Sequence, residues 1–192
     1  LELPYAGKAS GEGDNAPLSL ALERAFAGQF EHLTTQAQAL LVAVAIQDGG
    51  APAEVWPIAE TLTGTGLSAD TMDHAGTAGL ITVHDDSVTF RHPLVRSAIQ
   101  QAANPDLLRA AHRAWALAVR NVDPDRHAWH RSWAERGPDE QVASELEAAA
   151  RRSFNRGAVA AAQRWLERAA VMSPDRRSRQ ERLLAAATRC PT

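Results

Sequence analysis

The stretch LITVHDDSVTFRHPLVRSAI, Leu80 to Ile99, decides the fold. Its first half breaks the helical period that governs the rest of the chain. Leu80 to His84 and Ser87 to Phe90 are short and rich in β-branched residues. Asp85-Asp86 between them has the length and chemistry of a two-residue turn, so the pair reads as a β-hairpin. The same two aspartates could be read as metal carboxylates, but a turn explains them with fewer assumptions. After His92-Pro93 the pattern returns to helix.

Upstream of the hairpin the spacing is helical. Leu18, Leu22, Ala25, Phe26 and Gln29/Phe30 follow helical spacing. A second helix opens at Thr34 or Thr35, where Thr35 and Gln38 fit a capping box. It continues through ALLVAVAI, Ala39 to Ile46, which is apolar on all sides and is expected to be buried. Asp48-Gly49-Gly50 ends it. A third helix starts near Pro52 and holds Val55, Trp56, Ile58 and Leu62, with Pro57 tolerable only within the first turn or so. A fourth is expected from Ser68, a candidate N-cap, to about Gly79. Three helices followed by one small hairpin is the order of a winged-helix domain. The second and third helices would form the helix-turn-helix and the hairpin the wing.

Downstream, one start signal repeats: Asn104-Pro105-Asp106, Asp123-Pro124-Asp125 and Ser173-Pro174-Asp175. Each offers a capping side chain, a proline with no N–H to satisfy, and an acid facing the positive end of the helix dipole. Gly137-Pro138-Asp139 is a weaker copy. Helices are therefore expected to begin near 105, 124 and 174. From Leu146 to Pro174 the residues Gly157, Ala162, Leu166, Ala169 and Pro174 match the second half of a tetratricopeptide repeat, with Leu146 and Ala149 facing inward from the first helix. One repeat cannot bury its own face, so more repeats are expected beyond Thr192. The expected architecture is mainly α: a linker at 1–16, a winged-helix domain with one small hairpin at 17–103, and TPR-like antiparallel helical pairs at 104–192.

The chain has 192 residues, 45% of them hydrophobic and 22% charged, enough for one or two compact domains. No run is long and apolar enough for a membrane span, and LELPYAGKAS at the start has no signal-peptide features. That start reads as a cut inside a longer protein. The single cysteine, Cys190, excludes a disulfide framework and a multi-cysteine zinc site, and fits a cytoplasmic setting. Lys8 is the only lysine; arginine and alanine dominate, as in high-GC bacterial genomes. Residues 1–122 carry 7 basic and 13 acidic side chains, and residues 123–192 carry 13 and 10. The first part is thus a poor match for phosphate backbones, which need a cationic face.

FRHPLVRSAI (Phe90 to Ile99), the AHRAWALAV helix, DPDRHAWH (Asp123 to His130), GPDEQVASELEAAA (Gly137 to Ala150) and RGAVAAAQRWLERAAVMSPD together resemble one family. It is that of the large ATP-binding LuxR-type transcriptional regulators, among the signal-transduction ATPases with numerous domains. The resemblance covers roughly residues 17–190 and rests on the order of several segments. It implies the middle of such a regulator, between an upstream nucleotide-binding ATPase module and a downstream DNA-binding helix-turn-helix. No GxxxxGK[ST] is present, so ATP or ADP belongs to the upstream module and no cofactor is expected on this segment. The resemblance also implies a role for His92: in related ATPases a histidine at the end of the wing points at the nucleotide phosphates. The alternatives are that His92 caps the helix after it or packs under the wing.

Other constellations have modest readings. His127 and His130 lie one turn apart and could share a metal, but no further ligand completes a set, so packing is favoured. Trp56, Trp115, Trp129, Trp133 and Trp165 could stack on a ligand, but read as core anchors. Arg176, Arg177, Arg179 and Arg182 read as a solvated face. No catalytic triad can be assembled, and no enzyme activity is expected. The expected function is a non-catalytic regulatory segment that relays nucleotide or inducer state through contacts with the upstream ATPase module, the downstream repeats and an inducer or partner protein. The alternative is a direct DNA-binding winged helix. Against it, the segment SADTMDHAGTAG, Ser68 to Gly79, has two aspartates and no arginine or lysine for base readout.

Overall fold

The computed structural model describes residues 16–188 apart from positions 48 and 85. The linker assigned to 1–16 lies outside the described residues except for Ala16, which already opens a helix. Cys190 also lies outside them. Among the described residues there are ten helices and one two-stranded antiparallel sheet. No helix among them is long and apolar enough to cross a membrane. The chain divides into two compact units, one ending at Ala111 and the other beginning at His112. The sequence reading set the change at 103/104; the division falls inside α6 (Pro105–Val119).

In the first unit, α1 (Ala16–Glu31) packs against α5 (Pro93–Ala102), and Ser97 donates to Glu23 Oε1 at 2.9 Å. Phe30 is buried and Leu22 and Phe26 are half-buried, but Ala25, of the same series, is exposed. The centre of the unit is α2 (Thr35–Gln47), whose residues from Ala39 to Ile46 are all buried, as the all-round apolar run requires. Each such Leu, Val or Ile contributes about 1.5–3 kcal/mol by leaving water. The cap differs from expectation. Thr34 Oγ1 accepts the Ala37 N–H at 3.2 Å, while Gln38 donates to the carbonyls of Phe30 and Glu31. The Thr35–Gln38 capping box is therefore not formed: the Gln38 amide is turned to the orphan carbonyls at the end of α1.

Around α2 lie α3 (Pro52–Thr63), α4 (Thr71–Thr77) and α5. Pro57 is the sixth residue of α3, beyond the first turn to which the sequence reading confined it. It is tolerated because it and Ala53, whose carbonyl would have accepted the missing N–H, are exposed to water. The fourth helix is shorter than expected, and Ser68 is not its cap. Ser68 N–H and Oγ both bond Gln36 Oε1, at 3.1 and 3.0 Å, and Thr71 Oγ1 joins them at 3.2 Å. The Ser68 side chain is thus turned toward α2.

The hairpin is present. β1 (Ile81–His84) pairs antiparallel with β2 (Ser87–Phe90), with His84 opposite Ser87, which leaves the two-residue connection. Asp85 itself lies outside the described residues. Gly50 adds an isolated bridge to β2: it donates to Val88 O at 3.2 Å and accepts from Val88 N at 2.8 Å. The approach is close. A Cβ on Gly49, which has φ +107°, would sit 3.1 Å from Val88 O.

In the second unit, α7 (Pro124–Ala134), α8 (Glu140–Asn155), α9 (Val159–Met172) and α10 (Arg176–Thr188) pack in succession. The α8–α9 pair is antiparallel: Asp139 N, before α8, donates to Met172 O, at the end of α9, at 2.8 Å. Gly157 makes the turn with φ +77°. Leu146, Ala149, Ala162, Leu166 and Ala169 are all buried, as their spacing predicts. Small residues at these points let the two backbones approach.

The start signals divide into two kinds. Asn104 Oδ1 accepts from Asp106 N at 2.8 Å, and Asp123 Oδ1 from Asp125 N and Arg126 N at 3.1 and 3.0 Å, as expected. In the other two copies the acid after proline is the cap. Asp139 Oδ1 accepts from Val142 N at 3.1 Å, and Asp175 Oδ2 from Ser178 N at 2.8 Å. α10 consequently begins at Arg176 and not near 174.

Candidate functional site

His92 follows β2 and is the N-cap of α5, with extended backbone angles. Its Nδ1 accepts the Leu94 N–H at 3.1 Å, and Pro93 has no N–H to leave unpaired. A ring nitrogen that accepts carries no proton, so the proton of the neutral ring sits on Nε2. The ring is exposed and lies 5.8 Å from that of Phe26 on α1. Of the alternatives for His92, helix capping is the role made by its geometry. A capping histidine in this tautomer keeps a donor on its other nitrogen.

α4 presents Asp70, Asp73, His74 and Thr77 to solvent, with His74 Nε2 3.4 Å from Asp70. The Ser68 hydroxyl holds the Asp70 carboxyl below its usual range. Phosphates and guanine edges are held best by arginine or lysine, and this helix offers neither, presenting two carboxylates beside His74 and Thr77.

The densest set of chemically capable side chains lies in the second unit. His127 and His130 share α7 but not a partner. His127 Nδ1 donates to Ala116 O at 2.8 Å, satisfying a carbonyl in the last turn of α6. His130 Nδ1 instead meets His112 Nδ1 of α6 at 3.1 Å. Trp115 stacks on His130 with centroids 6.1 Å apart, and Trp133 stacks on His112 at 5.9 Å. Trp133 also meets Trp129 edge-on at 6.1 Å, and Trp129 meets Trp165 at 5.2 Å. Six rings from α6, α7 and α9 thus form one continuous series. Core anchoring holds for Trp115 and Trp165, but Trp133 is 43% exposed. Its face is covered by the Arg168 guanidinium, 3.7 Å from the ring centroid, and Arg168 Nε donates to Ser132 Oγ at 2.9 Å.

Two imidazoles facing each other through Nδ1 share a single proton between those atoms, one as donor and one as acceptor. Burial first, then Arg168, pushes the His112 pKa down to about 3. Burial first, then His112, Arg126 and His127, pushes that of His130 down to about 2. The pair is neutral at physiological pH. Among the described residues no group of three or more His, Cys, Asp or Glu is arranged to hold a metal ion.

His112 escaped the sequence reading. The signal was its place three residues before Trp115 on the apolar stripe of α6, the spacing that puts two side chains on one face. Arg182, expected on a solvated face, is buried. Its guanidinium bonds Glu140 at 2.6 and 3.1 Å, Glu147 at 3.1 Å and Ser173 Oγ at 2.6 Å. It lies at the floor of a polar depression shared with Glu147, Arg151 and Ser178. This use of Ser173, which also donates to Ala169 O at 2.8 Å, explains why it does not cap α10.

Compared with known proteins, the chain matches no family model, no curated protein and no solved structure.

Proposed function

We propose that this chain is a non-catalytic, cytoplasmic regulatory segment of an ATP-dependent LuxR-type bacterial transcriptional regulator. In this reading α2, the Gly50 bridge, α3, α4 and the hairpin are a winged helix, and α8 to α10 are TPR-like helical pairs. The winged helix docks on an ATPase module, and the helical pairs receive an inducer or partner protein. The observation that carries the reading is the element order helix, single bridge, helix, helix, hairpin, combined with an α4 that bears no arginine or lysine. A wing domain whose α4 carries no arginine or lysine is suited to protein contacts more than to DNA.

His92 is the point of contact this reading assigns to nucleotide phosphate, through the nitrogen that does not cap α5. The test uses the full-length regulator and two substitutions. His92→Asn keeps a capping side chain and removes the Nε2 donor; His92→Ala removes both. Retained ADP is expected to leave on the order of tenfold faster in both variants, while only His92→Ala lowers thermal stability. Unchanged ADP release in His92→Asn removes the phosphate role. Tight, salt-sensitive DNA binding by the present chain in a low-salt gel shift would instead favour the DNA-reading alternative.

A further inference from the structure

We propose that the His112–His130 contact is an acid-labile joint fastening α6 to α7. This goes beyond the relay reading and does not depend on it. α6 is the helix in which the chain passes from the first compact unit to the second. Its C-terminal half is tied to α7 by the Nδ1–Nδ1 contact at 3.1 Å, the Trp115 and Trp133 stacks, and the His127–Ala116 bond. Geometry makes the first of these ties proton-sensitive. With one proton between the two Nδ1 atoms the contact attracts. With two, a pair of N–H groups face each other and a charge is held between tryptophan rings.

The nearest charged side chains oppose that charge, against the attraction of the tryptophan faces on which the rings stack. α7 contributes Arg126, 5.7 Å from the Trp115 ring centroid, and His127, and α9 contributes Arg168. All three are cationic or become so on protonation. Of the carboxylates between α7 and α8, Asp125 is paired with Arg152 and Arg156, and Glu145 is paired through Oε1 with Arg131 at 2.8 Å while its Oε2 is buried without a hydrogen bond. Protonating His127 leaves its Nδ1–H bond to Ala116 intact but adds repulsion toward His130. Acid therefore favours a state in which the two rings separate and each takes its own proton. Both shifts in the closed state point the same way.

Amide hydrogen exchange on the whole chain, corrected for the intrinsic effect of pH, reads this directly. Between pH 7.5 and 5.5 two released imidazoles of ordinary pKa favour opening by about 100-fold. Protection of residues 112–119 and 124–134 is expected to fall by that factor, while α8 and α9 keep theirs. In the His112→Phe/His130→Phe double variant the dependence is expected to vanish. Should that variant not fold, nitrogen NMR of the wild-type imidazoles decides. The joint predicts one protonated and one bare Nδ1, persisting well below pH 6 for as long as the amides stay protected. Protection that ignores pH, a loss spread equally over α8 and α9, or rings that titrate normally beneath protected amides would each overturn the proposal.

Discussion

At the scale of single residues, the helix starts show how short-range chemistry leaves its mark on sequence. A side-chain oxygen one residue before the helix, or just after a proline, is enough to satisfy N–H groups that have no partner within the helix. Asp123 does this for two of them at once. Asp123→Ala is expected to destabilise the second unit by about 1 kcal/mol, within a range of roughly 0.5–2, measured as a shift in urea midpoint at unchanged slope. Which of two candidate oxygens caps is a different matter. Both Ser173 and Asp175 could begin α10, and the buried Arg182 guanidinium decides by engaging Ser173. Likewise the Ser68 side chain is turned toward Gln36, 32 residues away. The residue types that form caps were legible; their final partners were not, because a competing donor or acceptor arrived from a distant segment.

At the scale of elements, patterns over ten or more residues were the most reliable guide. The all-apolar run in α2 and the alanines and leucines of α8 and α9 each state a burial requirement that the fold meets, and the helical period breaks at Leu80 where the hairpin follows. Failures came where a polar side chain sits inside such a pattern. Arg182 reads as one of four solvated arginines, yet α10 places it against Glu140 and Glu147 of α8, 42 and 35 residues earlier. The Arg182 hydrogen bond also holds the Glu140 carboxyl below its usual range. Arg182→Ala removes bonds to three partners and leaves Ser173 and part of each carboxylate to re-solvate. Since both carboxylates remain partly exposed, the loss is expected to be moderate, about 1–3 kcal/mol. Arg177→Ala, whose exposed pair with Glu181 lies within one helix, is expected to leave stability essentially unchanged. Equal effects of the two substitutions in thermal unfolding would contradict this assignment.

At the scale of the molecule, the buried histidines link folding to pH with a definite sign. His112 and His130 have folded pKa values depressed to about 3 and about 2. The unfolded chain therefore binds more protons below about pH 6.5, where free imidazole titrates. Their contribution to stability is complete above that pH and declines as pH falls toward the folded values. At pH 5 each forgoes about 2 kcal/mol as an order of magnitude. Urea unfolding at pH 7.5 and pH 5 is expected to show a clearly lower midpoint in acid, and equal midpoints would mean the pair is not buried and neutral. Glu140, whose pKa is lowered, adds a further loss only in stronger acid, as it protonates.

The amino-acid order alone determined that the chain is mostly helical, where most helices begin, that one hairpin interrupts them, and which apolar faces are buried. These follow from local dihedral preference and from periodicity, both of which act over a few turns of chain. Only the tertiary structure decided that His130 meets His112 and not His127, that Arg182 leaves solvent, and that Gly50 bridges to β2. Each of these depends on atoms that become neighbours only after the helices pack. A side chain carries no local mark of which distant partner will satisfy it, because that choice is made by competition among all the groups the fold brings within reach.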